Sequence, residues 1–221
     1  MANFSTFFHT LSANEGGYCN TVGDHGGETY RGITSKWWPN WEGWTAVRAA
    51  CKVLCPTGPL PKDQWKQVNK ALSTNTVLDA QVINFYKAQY WNTLHLDSVT
   101  SQAIANQMAD HGVNAGQTKP ALMMQYLLNT EFGAHLEVDG KLGPQSIATL
   151  NAANPKVFYE KFTAMRRAFY DYLASSFLPA QAAALAPLHQ FFRNTLKISS
   201  DSTQQKFLTS WNSRTQEKYV A

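Results

Sequence analysis

Two carboxylates, Glu15 and Asp24, stand nine residues apart in a glycine-rich part of the sequence. Two carboxylates in different environments are the minimal set for hydrolysing a glycosidic bond, since one protonates the leaving oxygen and the other positions water or stabilises positive charge. A carboxylic acid does the first task near neutral pH only when its pKa is raised. A helix dipole contributes about 0.3–1 kcal/mol, so burial must supply most of that shift. Taken alone, a Glu followed by glycines is also typical of a solvated helix end.

The elements around these carboxylates are a short helix and a small β element. The apolar residues Phe4, Phe7, Phe8 and Leu11 repeat at helical spacing and predict a first helix. Gly16 and Gly17 favour its end, which places Glu15 at the C-terminal end of that helix. Glycines then recur among Tyr, Thr and Val over residues 18–34, which predicts a glycine-rich loop that contains Asp24, together with a small hairpin.

The rest of the chain is predicted to be mostly α-helical. Apolar residues at helical spacing follow each of five residues that favour helix starts: Asn75, Ser101, Pro120, Pro144 and Pro155. A terminal helix is predicted around Trp211. The segment 37–63 is rich in Trp and broken by Pro, which indicates irregular structure or a surface insertion. The predicted fold class is therefore mostly α, with a β-hairpin element near residues 18–34.

The composition describes a globular chain with a polar, weakly charged surface. Only 15% of the 221 residues are charged, against about 25% in an average globular protein. The net charge of +4 is too diffuse for the basic stripe of a nucleic-acid-binding protein. The most apolar stretch, residues 177–187, is shorter than the roughly 18 residues of a membrane span, so we expect no embedding in a membrane. The N-terminus lacks a secretory signal pattern, so we expect synthesis in the cytoplasm without Sec export.

Residues 15–34 read EGGYCNTVGDHGGETYRGIT. They resemble the N-terminal motif of glycoside hydrolase family 108, the peptidoglycan muramidases, in which EGGY precedes N and then D-x-G-G-x-T-x-x-G-I-T. One departure is that Thr21 and Val22 follow Asn20 where the family often has Asp and Pro, so any role of that extra Asp is absent. More distantly, the spacing is similar to that of phage-type lysozymes, where Tyr30 falls on a catalytic-site Thr.

The resemblance continues along the chain. Residues 86–91 (YKAQYW), 110–116 (DHGVNAG) and 138–146 (VDGKLGPQS) are similar to later motifs of the family, the last to the signature of a predicted peptidoglycan-binding domain. Trp211 with Arg214 is similar to its closing G-W-x-x-R. The resemblance implies an α+β lysozyme-like fold in three regions: a catalytic region over 1–98, a peptidoglycan-binding-like helical region over 99–175, and a helical extension over 176–221 that packs back on the globule.

The implied activity is hydrolysis of the β-1,4 bond between N-acetylmuramic acid and N-acetylglucosamine. Glu15 is then the general acid, and Asp24 positions water or stabilises the transition state. Expected substrate contacts are Tyr18, Thr29, Tyr30, Trp91 and Asn114. No cofactor and no metal are expected. The alternatives are a non-catalytic peptidoglycan-binding protein and a glycosidase that acts on chitin or chitosan.

The expected partner is bacterial peptidoglycan, together with an immunity protein or a secretion or holin partner. The resemblance leaves three roles open: a phage endolysin, a secreted antibacterial effector or an accessory of secretion. We expect a monomer that acts in the periplasm or cell wall after delivery by a holin or a secretion system.

Several other residues have candidate roles. His25 and Glu28 form an H-x-x-E pattern, but a zinc peptidase needs a second His at helical spacing, so we expect no metal there. Cys19 is expected to be a packed thiol, and Cys51 and Cys55 are at a spacing that fits either a disulfide or two thiols.

The clustered tryptophans have three interpretations: a sugar-stacking platform, a buried wedge or a partner-docking surface, of which core or partner contact is favoured. They are Trp37, Trp38, Trp41 and Trp44. Three cations, Lys141, Arg166 and Arg167, are expected to be solvated.

Overall fold

The computed structural model describes residues 1–12, 16–20, 27–177, 181, 183–216 and 219–220. These residues are mostly α-helical and include one small antiparallel sheet, which confirms the predicted fold class. The chain divides into two compact units, Phe8–Gln89 and Met1–Phe7 with Tyr90–Ala221. Among the helices that the structure describes, none is both long enough and apolar enough to cross a membrane.

The smaller unit, Phe8–Gln89, contains the sheet. Its three strands are β1 (Tyr18–Cys19), β2 (Thr29–Tyr30) and β3 (Ile33–Thr34), with Tyr18 opposite Tyr30 and Tyr30 opposite Ile33. The two residues between β2 and β3, Arg31 and Gly32, have φ of 45° and 78°. Two positive φ angles are the requirement of a type I′ turn, whose twist matches that of a hairpin. The sequence-predicted hairpin is thus present.

Three further helices belong to the smaller unit: α2 (Trp44–Leu54), α3 (Trp65–Leu72) and α4 (Thr76–Tyr86); α1 (Phe4–Ser12) begins in the larger unit and ends here. The prediction of irregular structure over 37–63 was wrong for α2. No Gly or Pro interrupts its eleven residues, and Trp44 and Val47 are buried one turn apart where α2 packs on α3. The predicted cap of α4 is confirmed, since the Asn75 side chain accepts a hydrogen bond from the backbone N–H of Leu78.

The larger unit is a helical assembly. Its helices are α5 (Gln102–Ala115), α6 (Lys119–Glu131), α7 (Pro144–Ala152), α8 (Pro155–Leu173), α9 (Ala186–Asn194) and α10 (Leu208–Ser213). A π-helical turn, Lys87–Trp91, precedes them, and short 3₁₀ turns cover Asn92–Leu94, Leu96–Ser98 and Ser202–Phe207. The predicted helix starts are confirmed, with Ser101 capping α5 and α6 beginning one residue before Pro120.

The core of the larger unit lies where α5, α6 and α8 pack together. The apolar stripe of α8 is buried there, including Phe158, Phe162 and Phe169. Burial of a large apolar side chain stabilises the folded state by about 1.5–3 kcal/mol, so this stripe contributes strongly.

A buried ion cluster corrects the expectation that Arg166 is solvated. Its side chain has no exposed surface, because residue 166 lies on the same helical stripe as Phe162 and Phe169. Asp110 on α5 supplies the countercharge, with Oδ2 2.5 Å from the Arg166 guanidinium. Arg167 is exposed, although its Nε donates a hydrogen bond to Thr215 Oγ1, and Lys141 is exposed as expected.

Candidate active site

Glu15 and Asp24 lie outside the described residues, so their roles stay predictions. The structure describes the segments that follow each of them, Gly16–Asn20 and the residues from Gly27 onward. These two segments contain β1 and β2, which pair with each other. The hairpin therefore sets the positions from which the two carboxylate-bearing segments depart.

Asn69 on α3 holds β1 in place. Its side-chain Oδ1 accepts a hydrogen bond from the backbone N–H of Tyr18 at 2.5 Å, and its Nδ2 donates to the Tyr18 carbonyl oxygen at 3.4 Å. A Cβ atom on Gly17 would lie only 2.3 Å from Asn69 Oδ1, so the amide can approach only a glycine there. The second glycine of the EGGY motif thus has a packing role. Sequence reasoning missed Asn69 because its partner lies 51 residues away.

The Tyr18 side chain is buried in the smaller unit. Its ring meets Trp65 edge-on at 6.2 Å, and its hydroxyl forms a hydrogen bond with the Cys51 thiol. Burial, with the nearby Cys51 and Glu28, raises the pKa of the Tyr18 phenol above its usual range. Burial also raises the pKa of the Cys51 thiol. Both groups therefore stay protonated at neutral pH.

Cys51 and Cys55 are free thiols, which resolves the alternatives left by their spacing. The Cys55 sulfur lies 3.1 Å from the carbonyl oxygen of Thr57, to which its S–H donates.

The two predicted contact residues of β2 lie next to Tyr18. Tyr30 is buried, stacks on Trp41 at 6.3 Å and has its pKa raised by burial. Thr29 is half-buried, and its hydroxyl donates a hydrogen bond to the carbonyl oxygen of Gly27 at 3.3 Å. The sheet therefore brings together Tyr18, Thr29 and Tyr30, three of the five predicted contact residues.

Glu28, directly before β2, is a carboxylate that sequence reasoning considered only as a metal ligand. Its Oε2 accepts a hydrogen bond from Arg48 Nε on α2 at 3.0 Å, and its side chain is 15% exposed. Within the described ranges, no group of three or more His, Cys, Asp or Glu side chains is arranged to hold a metal ion. The ion pair with Arg48 gives Glu28 a role in joining the loop before β2 to α2.

The β2–β3 turn is fixed by α4. Arg31 Nη1 lies 2.6 Å from Asp79 Oδ1, and the Tyr86 hydroxyl donates to the Arg31 carbonyl oxygen at 2.7 Å. These contacts hold a non-glycine residue in the left-handed conformation, which costs free energy without such support. The three-stranded sheet is therefore tied to α3 through β1 and to α4 through the β2–β3 turn.

The remaining two predicted contact residues belong to the larger unit. Trp91 is fully buried, its ring packs on Phe4 and Phe7, and its indole N–H donates to Asp97 Oδ1 at 2.7 Å. Asn114 is half-buried, and its amide donates to the carbonyl oxygen of Asp110 one turn earlier. The structure gives both residues a place in packing, and contact with a substrate stays a prediction for them.

The 138–146 signature forms a turn held by a buried glutamine. Gln125 on α6 donates to Asp139 Oδ1 at 2.9 Å and accepts from the backbone N–H of Gly140 at 2.9 Å. Gly140 has φ of 76°, and a Cβ there would lie 2.6 Å from Thr118 Cγ2. Glycine is thus required at position 140 by backbone conformation and close packing, and the motif is confirmed as a turn before α7.

Comparisons with known proteins cover nearly the whole chain. Residues 8–116 match the family model described as glycosyl hydrolase 108, and residues 119–216 match the model described as predicted peptidoglycan domain. The solved structure of SagA from Brucella abortus is similar in fold, with a TM-score of 0.50 and 20% sequence identity over 90% of this chain and 97% of that one. None of the curated proteins matches the sequence.

The two family models lead to one assignment. The chain belongs to the glycosyl hydrolase 108 family of lysozyme-like peptidoglycan hydrolases, and its second half is a predicted peptidoglycan domain.

Proposed function

We propose that the chain is an N-acetylmuramidase that cleaves the β-1,4 bond between N-acetylmuramic acid and N-acetylglucosamine. The observation that carries this proposal is the built hairpin inside the family motif. β1 begins three residues after Glu15, β2 begins five residues after Asp24, and both strands pair in the register of Tyr18 opposite Tyr30. The close approach of Asn69 to Gly17 ties this arrangement to the second glycine of the EGGY motif.

In the proposed mechanism, Glu15 protonates the glycosidic oxygen as the bond to the leaving sugar breaks. Asp24 stays ionised and either positions the attacking water or stabilises the oxocarbenium-like transition state. The anomeric outcome follows from the separation of the two carboxyl groups, about 6.5–9.5 Å for inversion and about 5 Å for retention. Analysis of the anomer first released from a soluble substrate distinguishes the two.

The test compares wild type with Glu15→Gln, which keeps the side-chain shape and removes the acid. We expect the rate of turbidity clearance on purified Gram-negative sacculi to fall about 100-fold or more, since general acid catalysis contributes roughly 10²–10⁴ in rate. Glu137→Gln, an exposed carboxylate change in the larger unit, is the matched control and should keep the wild-type rate.

The released ends identify the bond. Reduction with borohydride followed by mass analysis should yield muramitol ends, because a muramidase leaves N-acetylmuramic acid at the reducing end. Glucosaminitol ends would indicate a glucosaminidase, and cleavage of chitin or chitosan oligomers in preference to sacculi would indicate a different polymer. Equal rates for Glu15→Gln and wild type would refute the assignment of the acid.

We propose further that the chain is bacteriolytic and monomeric. It acts in the periplasm or cell wall, because its substrate lies outside the cytoplasmic membrane. A holin or a secretion system would deliver it, as an endolysin, an antibacterial effector with an immunity partner, or a secretion accessory. Directing the chain to the periplasm of a Gram-negative host with an added Sec leader should lyse the cells, and the Glu15→Gln variant should not. Survival of cells that express wild type in the periplasm would contradict this.

A further inference from the structure

A groove with a volume of about 590 Å³ lies in the smaller unit, between residues 37–42 and α4. It is within the roughly 300–1,000 Å³ of small-molecule sites. Three tryptophans line it, Trp37, Trp38 and Trp41. We call it the tryptophan groove.

Two of these indoles are held firmly by aromatic neighbours. Trp38 meets Phe85 edge-on at 4.9 Å, and Trp41 meets Trp44 edge-on at 5.3 Å. The Trp44 indole N–H also donates to the carbonyl oxygen of Trp38 at 2.7 Å, which fixes the segment between them. A Cβ on Gly43 would lie 2.3 Å from the Trp41 ring, so glycine is needed for the ring to lie there. These aromatic faces are therefore preorganised.

Trp37 differs because its side chain projects into solvent. It is 70% exposed, whereas most large apolar side chains of the unit are buried. The Lys36 ammonium lies 5.4 Å from the centre of its ring, which favours one orientation of the indole. An exposed indole at the edge of a groove offers a flat apolar face to a ligand, and it contributes little to folding.

Amide side chains supply the polar part of the groove. Asn40 lies on the tryptophan segment, while Gln81 and Asn84 lie one turn apart on α4. Each amide both donates and accepts hydrogen bonds, which matches hydroxyl and acetamido groups. Glu42 is the one ionisable residue among those that line the groove in the described part of the chain. This near absence of charge disfavours a nucleic acid or a strongly charged peptide as ligand.

We propose that the tryptophan groove binds N-acetylated amino-sugar rings of a glycan strand. The apolar C–H face of a pyranose packs on indoles, while its hydroxyl and acetamido groups bond to amides. The inference rests on the proposed function for the choice of glycan, and it is argued only from described residues that line the groove. The groove increases affinity for the polymer and takes no part in the bond-breaking step.

The test measures binding of N-acetylglucosamine tetramer by titration calorimetry. The full chain carries Glu15→Gln so that the ligand is not cleaved. Trp37→Ala in that background should weaken binding about fivefold to tenfold, in line with loss of one aromatic stacking contact. Phe207→Ala removes an exposed aromatic ring from the larger unit and is the matched control, with unchanged affinity. Circular dichroism should show the same folded content in every variant.

The outcomes separate this inference from the proposed muramidase activity. No binding of the tetramer at millimolar concentration, or equal binding by Trp37→Ala, overturns the inference even if sacculi are cleaved. The inference is also overturned if Trp37 is required for binding a purified protein partner but not for binding the tetramer. Weaker tetramer binding by Trp37→Ala supports the groove even if the chain proves to release glucosaminitol ends.

Discussion

Replacing Asp110 by Asn tests the buried ion cluster. The Arg166 side chain has no exposed surface, and its guanidinium lies 2.5 Å from Asp110 Oδ2. A guanidinium cannot lose its proton in a protein, so the variant leaves a positive charge in the interior. The neighbours that remain, Gln107 and Tyr170, are neutral hydrogen-bonding partners. Asn preserves the size of the side chain, so the change is mainly electrostatic.

The expected cost follows from burial. Removing one partner of a buried ion pair costs about 3–5 kcal/mol, because the other charge stays desolvated. The Asp110 side chain is 21% exposed, which admits some water and places the expected loss near 3 kcal/mol. Arg214, the second partner of Asp110, is 25% exposed and adds little. For a chain of this size a loss of about 3 kcal/mol lowers the melting temperature by roughly 6–12 °C.

Urea unfolding followed by circular dichroism measures the free energy of unfolding. The matched control is Glu131→Gln, because Glu131 lies 2.6 Å from Lys161 while both side chains are more than 40% exposed. We expect that control to lose less than about 1 kcal/mol. If Asp110→Asn loses no more than Glu131→Gln does, burial is not what gives the cluster its energy. Adding Arg166→Met to Asp110→Asn should restore part of the stability, since it removes the fully buried charge that Asp110 had compensated.

Three further predictions concern other groups. Burial, with smaller contributions from nearby cations, lowers the pKa of His111 in the folded state, so the unfolded chain takes up the proton first. As the pH falls below about 6.5, the free energy of unfolding should therefore decrease by up to about 1.4 kcal/mol per pH unit. Urea titrations that give the same dependence on pH for His111→Gln as for wild type would contradict this. Burial raises the pKa of Cys51, so the rate of alkylation of this thiol should reach half its maximum above about pH 8.5. Peptide mass analysis follows the alkylation, and a lower midpoint would count against a buried thiol. Asn69→Ala removes both hydrogen bonds to the Tyr18 backbone and should slow clearance of sacculi about tenfold or more. Gln67 is exposed on the same helix, so Gln67→Ala should leave the clearance rate unchanged. Equal rates for the two variants would show that α3 does not position the hairpin.

Local sequence signals predicted seven of the ten α-helices in the described part of the chain, and they missed α2, α3 and α9. Ser101 and Asn75 accept hydrogen bonds from backbone N–H groups three residues later, as their positions before apolar repeats indicated. These interactions join residues within one turn, so the sequence alone contains both partners. α2 was missed because its Trp- and Pro-rich surroundings masked the apolar residues of one short helix.

The candidate site shows the same contrast between local sequence patterns and contacts from distant residues. The order of glycines, Asp, Thr and Tyr over residues 15–34 was enough to predict the hairpin and the family. The contacts that hold the hairpin, from Asn69 and Asp79, come from helices about fifty residues away. No spacing rule connects such residues, because their proximity arises only when the helices pack.

The sequence by itself therefore determined the fold class, the helix starts and the peptidoglycan-hydrolase family, since each depends on short-range patterns. Only the tertiary structure decided how the buried polar residues are paired. Arg166 is indistinguishable from Arg167 by residue type, yet one is in the core and the other is exposed. The difference is about 100° of rotation around α8, and its energetic consequence depends on a carboxylate from α5 being there to meet the charge.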